Sequence, residues 1–197
     1  MEQIPSGQIY LAPIIEAMRD SLSLEITYQS FWHDTDHTFE VYPYCVKVFK
    51  QRWYVIAYSP GKDHTHIYAL DRIKAMTITN SKFVLPSDFD SELFFADCFG
   101  VITDENIKTE KVLIKVHINQ NRYIRSLPLH HSQKEEKNTV DYSIFSYWIK
   151  PTFDFLQALL SHGGYVEVLS PEWLREEIKG VTGDMYNKYI NNTKPAL

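Results

Sequence analysis

Little in this chain of 197 residues points to chemistry. Its two cysteines, Cys45 and Cys98, cannot build a disulfide framework, and each sits in an apolar, aromatic setting that reads as a buried thiol. Its seven glycines are scattered and form no phosphate-cradling loop. No H-E-x-x-H run occurs, and no G-x-S-x-G elbow accompanies His130-His131-Ser132. Enzymatic function is therefore the least supported class, and no catalytic residue, metal or cofactor is assigned. No apolar run approaches the roughly 18 residues of a membrane span. Residues 1–7 are polar and broken by Pro5, unlike a signal peptide. A cytoplasmic protein is expected. Positive charge is short as well: 25 acidic residues face 20 Lys and Arg, for a formal charge of −5. That balance opposes broad, nonspecific binding to duplex DNA, which needs many phosphate contacts.

What is present is an aromatic and basic stretch, Tyr42-Pro-Tyr-Cys-Val-Lys-Val-Phe-Lys-Gln-Arg-Trp-Tyr-Val-Ile-Ala-Tyr58, closed by Leu70-Asp-Arg-Ile73. Residues 41–75 hold Lys47, Lys50, Arg52, Lys62, Arg72 and Lys74 against Asp63 and Asp71, a local excess of positive charge in a negative chain. Aromatic and guanidinium groups gathered on a small sheet suit stacking on bases and holding phosphates. Trp53 and Tyr54 are strand neighbours and face opposite sides, one towards a core and the other towards surface or pocket. Arg72 follows Asp71 at a strand end, so it either pairs with a carboxylate or faces a ligand. Lys47, Lys50 and Arg52 surround a hairpin turn. His33-Asp34-Thr35-Asp36-His37 carries metal-capable side chains but reads as a hairpin loop. His64 and His66 lie two apart on a strand and share a face.

Hydrophobic spacing organises the rest. Leu11, Ile14, Ile15, Met18 and Leu22 make one apolar stripe of a helix over 8–22, with Pro13 in its first turn. Five strands are expected at 24–31, 38–49, 52–58, 65–71 and 74–80, a spacing that suits a small barrel. Residues 81–110 read as a linker containing one short helix. Val112, Ile114 and Val116 then alternate on a half-buried strand. A short helix follows to Ser126, capped by Asn119 or Asn121. A hairpin pairs 129–133 with 139–148 across the polar turn 134–138. Thr152 is expected to cap a helix stopped by Gly163-Gly164, and a strand over 165–169 leads to a last helix over 171–189. The order β-α-β-β-α-β plus a helix, over 111–197, matches the ferredoxin-like plan.

Ile26-Thr-Tyr28, Tyr42-Pro-Tyr44, Arg52-Trp-Tyr-Val55 and Tyr68-Ala-Leu-Asp-Arg-Ile73 make residues 24–80 resemble the WYL domain, an Sm-like or SH3-like five-stranded barrel. Leu127-Pro-Leu-His-His-Ser-Gln133 and Gly164-Tyr-Val-Glu-Val-Leu-Ser-Pro-Glu172 resemble the C-terminal extension that often follows it. The chain departs from that likeness at Val55, where the name motif has Leu, and at His66 and Ala69, where arginines often stand. The resemblance implies the effector-sensing part of a bacterial transcription regulator, without its helix-turn-helix. It implies a nucleotide-like or single-stranded nucleic-acid effector in the barrel, met by Tyr28, Lys47, Arg52, Trp53, Tyr54, His66 and Arg72. Duplex DNA would be reached only through a domain outside this chain. The alternative is a protein-interaction module that regulates a defence or CRISPR-associated effector. A homodimer is expected through Trp173, Ile178, Val181 and Tyr189 of the last helix, or through the helix over 8–22.

Overall fold

The computed structural model describes residues 7–31, 34–104 and 106–191. These form two compact units, divided between Phe94 and Phe95. The first begins with a 3-10 turn, Gln8–Tyr10, and helix α1, Leu11–Asp20. Strands β1 (Leu22–Tyr28), β2 (His37–Phe49), β3 (Arg52–Ser59), β4 (His64–Ala69) and β5 (Ile73–Lys82) follow. They pair antiparallel in the order β4-β3-β2-β1-β5. A single 3-10 turn, Leu70–Arg72, joins the two outermost strands. This is the five-stranded, Sm-like or SH3-like arrangement that the family resemblance implies. The long β2 serves both halves of the sheet and changes register between Pro43 and Cys45, which lets a continuous strand bend around the core.

The barrel core holds Leu24, Ile26, Val41, Val55, Ala57, Tyr68, Leu70 and Ile73, together with Ile14 and Ala17 of α1. Leu11 and Met18 pack against the same cluster. Three residues of the expected stripe, Leu11, Ile14 and Met18, are thus covered by the barrel, whereas Ile15 is exposed and Leu22 belongs to β1 rather than to the helix. Residues 83–94 also belong to this unit. Phe83 stacks on Tyr42 at 5.3 Å, and Phe89 lies 5.0 Å from Tyr44. Asp90 caps the short helix α2, Ser91–Phe94, by accepting from the N–H groups of Glu92 and Leu93. Residues 95–109 pack on the second unit. There Asp97 accepts from the Thr109 hydroxyl and pairs with Lys150 at 3.4 Å, and Asp154 accepts from the Val101 N–H at 3.0 Å.

The second unit runs β6 (Glu110–His117), α3 (Ile118–Ser126), β7 (Lys134–Asn138), β8 (Tyr142–Ile149), α4 (Phe153–Leu160), β9 (Val166–Ser170) and α5 (Glu172–Asn191). Its antiparallel order β7-β8-β6-β9 is that of the ferredoxin-like fold. Val112, Ile114 and Val116 face a core of Phe145, Tyr147, Ile149, Phe155, Leu156, Leu159 and Val168. Two local expectations fail. The polar run 134–138 is a strand rather than a turn, because it is the sheet edge. Its side chains find partners across the pleat, Glu135 with Arg125 at 2.6 Å and Glu136 with Lys111 at 2.9 Å. The α3 cap is His117, whose Nδ1 accepts from the Asn119 N–H, while Asn121 is buried and donates to the Ser143 hydroxyl. Leu174 of α5 is buried and Ile178 packs on the core, whereas Met185, Tyr186, Tyr189 and Ile190 are exposed. Among the described residues no helix is long and apolar enough to cross a membrane.

Candidate functional site

Strand alternation and one turn bring together a cavity of ≈ 620 Å³ at the mouth of the barrel. β1 ends in Tyr28, β2 opens with His37, Thr38 and Phe39, and β4 contributes His66, Ile67 and Tyr68. The β3–β4 turn adds Ser59, Gly61 and Lys62, and the 3-10 turn adds Arg72. Tyr68 is central: the Tyr28 ring meets it edge-on at 5.2 Å and the Phe39 ring lies at 5.6 Å. The His66 ring sits 5.8 Å from Tyr68 and 3.8 Å from His64.

The electrostatics are one-sided. Among the described lining residues there is no Asp or Glu, while Lys62 and Arg72 are cationic. The Lys62 ammonium lies 5.3 Å from the Phe39 ring centre, and the Arg72 guanidinium carbon lies 3.8 Å from that of Phe31. Burial pushes His66 down to about 4, helped by the charges of His64 and Lys62, so its imidazole is neutral at pH 7. Burial pushes Tyr68 up to about 12. Its hydroxyl lies near Ser59 without completing a hydrogen bond. Burial also raises Tyr28, opposed by the charge of Arg72, and the Tyr28 hydroxyl accepts from the Ala69 N–H at 3.2 Å. Three polar atoms of this wall, His66 Nε2, Tyr68 Oη and Arg72 Nε, are buried with no hydrogen-bond partner among the described residues.

Of the seven residues expected at the site, Tyr28, His66 and Arg72 meet at the cavity. The other four do not line it. Trp53 packs against the barrel core. Lys47 and Tyr54 face each other across β2 and β3, away from the mouth. Arg52 is held by Asp71 at 3.0 Å. The concave surface lies between Arg72, Tyr28, His66 and Lys62. Sequence reasoning passed over Phe39, Lys62 and Tyr68; of these, Tyr68 sits inside the quoted run that ends at Ile73.

His64 and His66 do share a face, yet the described residues contain no group of three or more His, Cys, Asp or Glu placed to hold a metal. His33 lies outside the described residues. The Ser132 hydroxyl lies 2.7 Å from His130 and bridges the backbone of Trp148, tying a turn to β8. Burial pushes the Cys45 thiol up to about 11, and neither cysteine forms a disulfide.

Known proteins place this geometry. Residues 10–78 match the WYL domain and residues 108–186 match the WCX domain. The chain belongs to the WYL-domain family, with the WYL barrel followed by its WCX extension. Among solved structures it is similar to proteasome accessory factor B/C (PafBC) of Arthrobacter aurescens, at 16% identity and a TM-score of 0.45, over 100% of this chain and 29% of that one. It is also similar to a CRISPR Cas-related protein, at 14% identity and a TM-score of 0.54, over 93% of this chain and 53% of that one. The chain therefore spans about a third and about half of those two proteins. No curated protein sequence matches it.

Proposed function

We propose that this chain is the effector-sensing part of a bacterial WYL-type transcription regulator, and that the barrel cavity takes a nucleotide-like or single-stranded nucleic-acid ligand. It is a binding module rather than an enzyme. One observation carries the reading: among the described residues the cavity lining has no acidic side chain and unites two cations, three aromatic rings and three polar atoms without a hydrogen-bond partner. Phosphate would meet Arg72 and Lys62. A base would stack on the exposed edge of the Tyr28–Tyr68–Phe39 group, worth roughly 1–3 kcal/mol per base. The neutral His66 offers a hydrogen bond to a base edge without adding charge.

The test is a titration of the chain with fluorescein-labelled single-stranded oligonucleotides at several salt concentrations, with duplex as competitor. Salt-sensitive binding of the single strand that duplex displaces poorly is expected. Equal binding of both, or of neither, would overturn the reading.

A second reading, a protein-interaction module, is favoured by the exposed Met185, Tyr186, Tyr189 and Ile190 on α5. The same stripe is where a homodimer would form. Loss of self-association on replacing Tyr186 and Tyr189 with Ser, read by sedimentation, separates a dimer helix from a surface kept for another protein.

A further inference from the structure

Two arginines compete for the carboxylate of Asp71. Asp71 and Arg72 are neighbours in the 3-10 turn Leu70–Arg72, and both border a smaller cavity of ≈ 280 Å³ beside the main one, which Asp34 and Lys74 also line. An aspartate beside an arginine is the obvious ion pair. The structure shows a different pairing. Asp71 Oδ2 accepts from Arg52 Nη1 at 3.0 Å, and the Asp71 side chain is only 12% exposed. Among the described residues Arg72 takes part in no ion pair, and its Nε is buried without a hydrogen-bond partner. Its guanidinium lies instead against the ring of Phe31.

We infer that Arg52 is a positioning residue for the ligand site: by holding Asp71, it keeps Arg72 available for an anion. The inference rests on reading the main cavity as an anion-receiving site. The physical reason is competition for one carboxylate. A carboxylate this shielded from water needs a cationic partner. Among the described residues three cations stand around it: Arg52 from the start of β3, Arg72 next in the chain, and Lys74, which lines the same small cavity; of these, Arg52 holds the carboxylate. Whichever pairs with Asp71 loses positive potential towards a ligand. The geometry gives that role to Arg52, whose side chain is 40% exposed and outside the cavity lining. Asp71 Oδ1, buried and unpartnered, leaves the carboxylate able to accept a second donor. If Arg52 is removed, Asp71 is expected to turn to Arg72 and fill the anion site from within.

The test uses the full chain and two independent readouts. The first needs no ligand: the ¹H–¹⁵N signal of the Arg72 Nε–H group. In Arg52→Gln it should move downfield and exchange more slowly with water, as a carboxylate takes it up. In Arg52→Gln combined with Asp71→Asn it should return to its original position. The second readout is the affinity for a fluorescein-labelled oligothymidylate. Arg52→Gln should weaken it by about tenfold or more. The double variant should recover to within about threefold of the original, and Asp71→Asn alone should bind at least as well as the original. An Arg72 signal that stays in place in Arg52→Gln would overturn the inference, as would a double variant no better than the single one. If the unaltered chain does not bind the oligonucleotide, the reading of the cavity falls, while the Arg72 signal still decides the pairing.

Discussion

Arg72→Ala tests the site most directly, and its size can be worked out beforehand. The side chain has two engagements in the free protein, the face of Phe31 at 3.8 Å and a place beside the Tyr28 hydroxyl. Phe31 is 71% exposed, so the cation–π contact is worth about 0.5–1 kcal/mol at most. No ion pair is broken, and a buried Nε without a partner is removed. Stability should therefore change by less than about 1 kcal/mol, a shift in Tm of a few degrees. The ligand loses much more. One charge-assisted hydrogen bond to phosphate is worth about 1.5–3 kcal/mol, which is roughly tenfold to over a hundredfold in affinity. Arg72→Lys keeps the charge but loses the planar fork and its stacking on Phe31, so it should fall between the two. Fluorescence anisotropy with a labelled oligonucleotide, repeated across salt concentrations, reads both the affinity and its salt dependence. The dependence on log salt should flatten by about one phosphate contact in Arg72→Ala. Unchanged affinity at fixed salt would refute the assignment. A large fall in Tm would show that Arg72 holds the fold together instead.

Three further outcomes follow from the fold. Lys50 and Gln51 form a two-residue hairpin turn with φ of 46° and 65°, so replacing them with Asn-Gly should stabilise the barrel by about 1 kcal/mol, raising its Tm by roughly 4–8 °C. His66 is held neutral well below its ordinary value of 6.5, so the unfolded chain takes up that proton first. Its contribution to stability is complete above that value and is lost as pH falls towards about 4; His66→Gln should show a smaller drop in Tm over this window, and an equal drop would count against the buried neutral imidazole. Phe155 is fully buried in the core of the second unit, so Phe155→Ala should cost about 3–5 kcal/mol in urea unfolding of that unit, and a loss below about 1 kcal/mol would mean the core is not packed as described.

The elements were legible because their signals are local. The 3.6-residue spacing of Leu11, Ile14 and Met18, and the alternation of Val112, Ile114 and Val116, each report a single buried face. Aromatic strands broken by Lys50-Gln51 and Ser59–Asp63 were enough to outline the barrel, and the quoted runs were enough to find the family. Edges and caps were less legible. Lys134–Asn138 is polar on both faces and reads as a turn, because nothing local shows that Arg125 of α3 and Lys111 of β6 will meet its carboxylates.

From the sequence, the family resemblance named Tyr28, His66 and Arg72 among the site residues, and the structure brings these three to one cavity. The sequence could not determine which cations remain free. Lys47, Arg52, Lys62 and Arg72 are equivalent in a count of charge, and Asp71 adjoins Arg72 in the chain. The antiparallel pairing of β3 with β4 sets Tyr54 opposite Ala69 and so brings the start of β3 beside the turn after β4, a separation of 19 residues, and there Arg52 meets Asp71. Ion pairing depends on distances of a few ångströms between side chains, and those distances exist only after the strands have closed around the core.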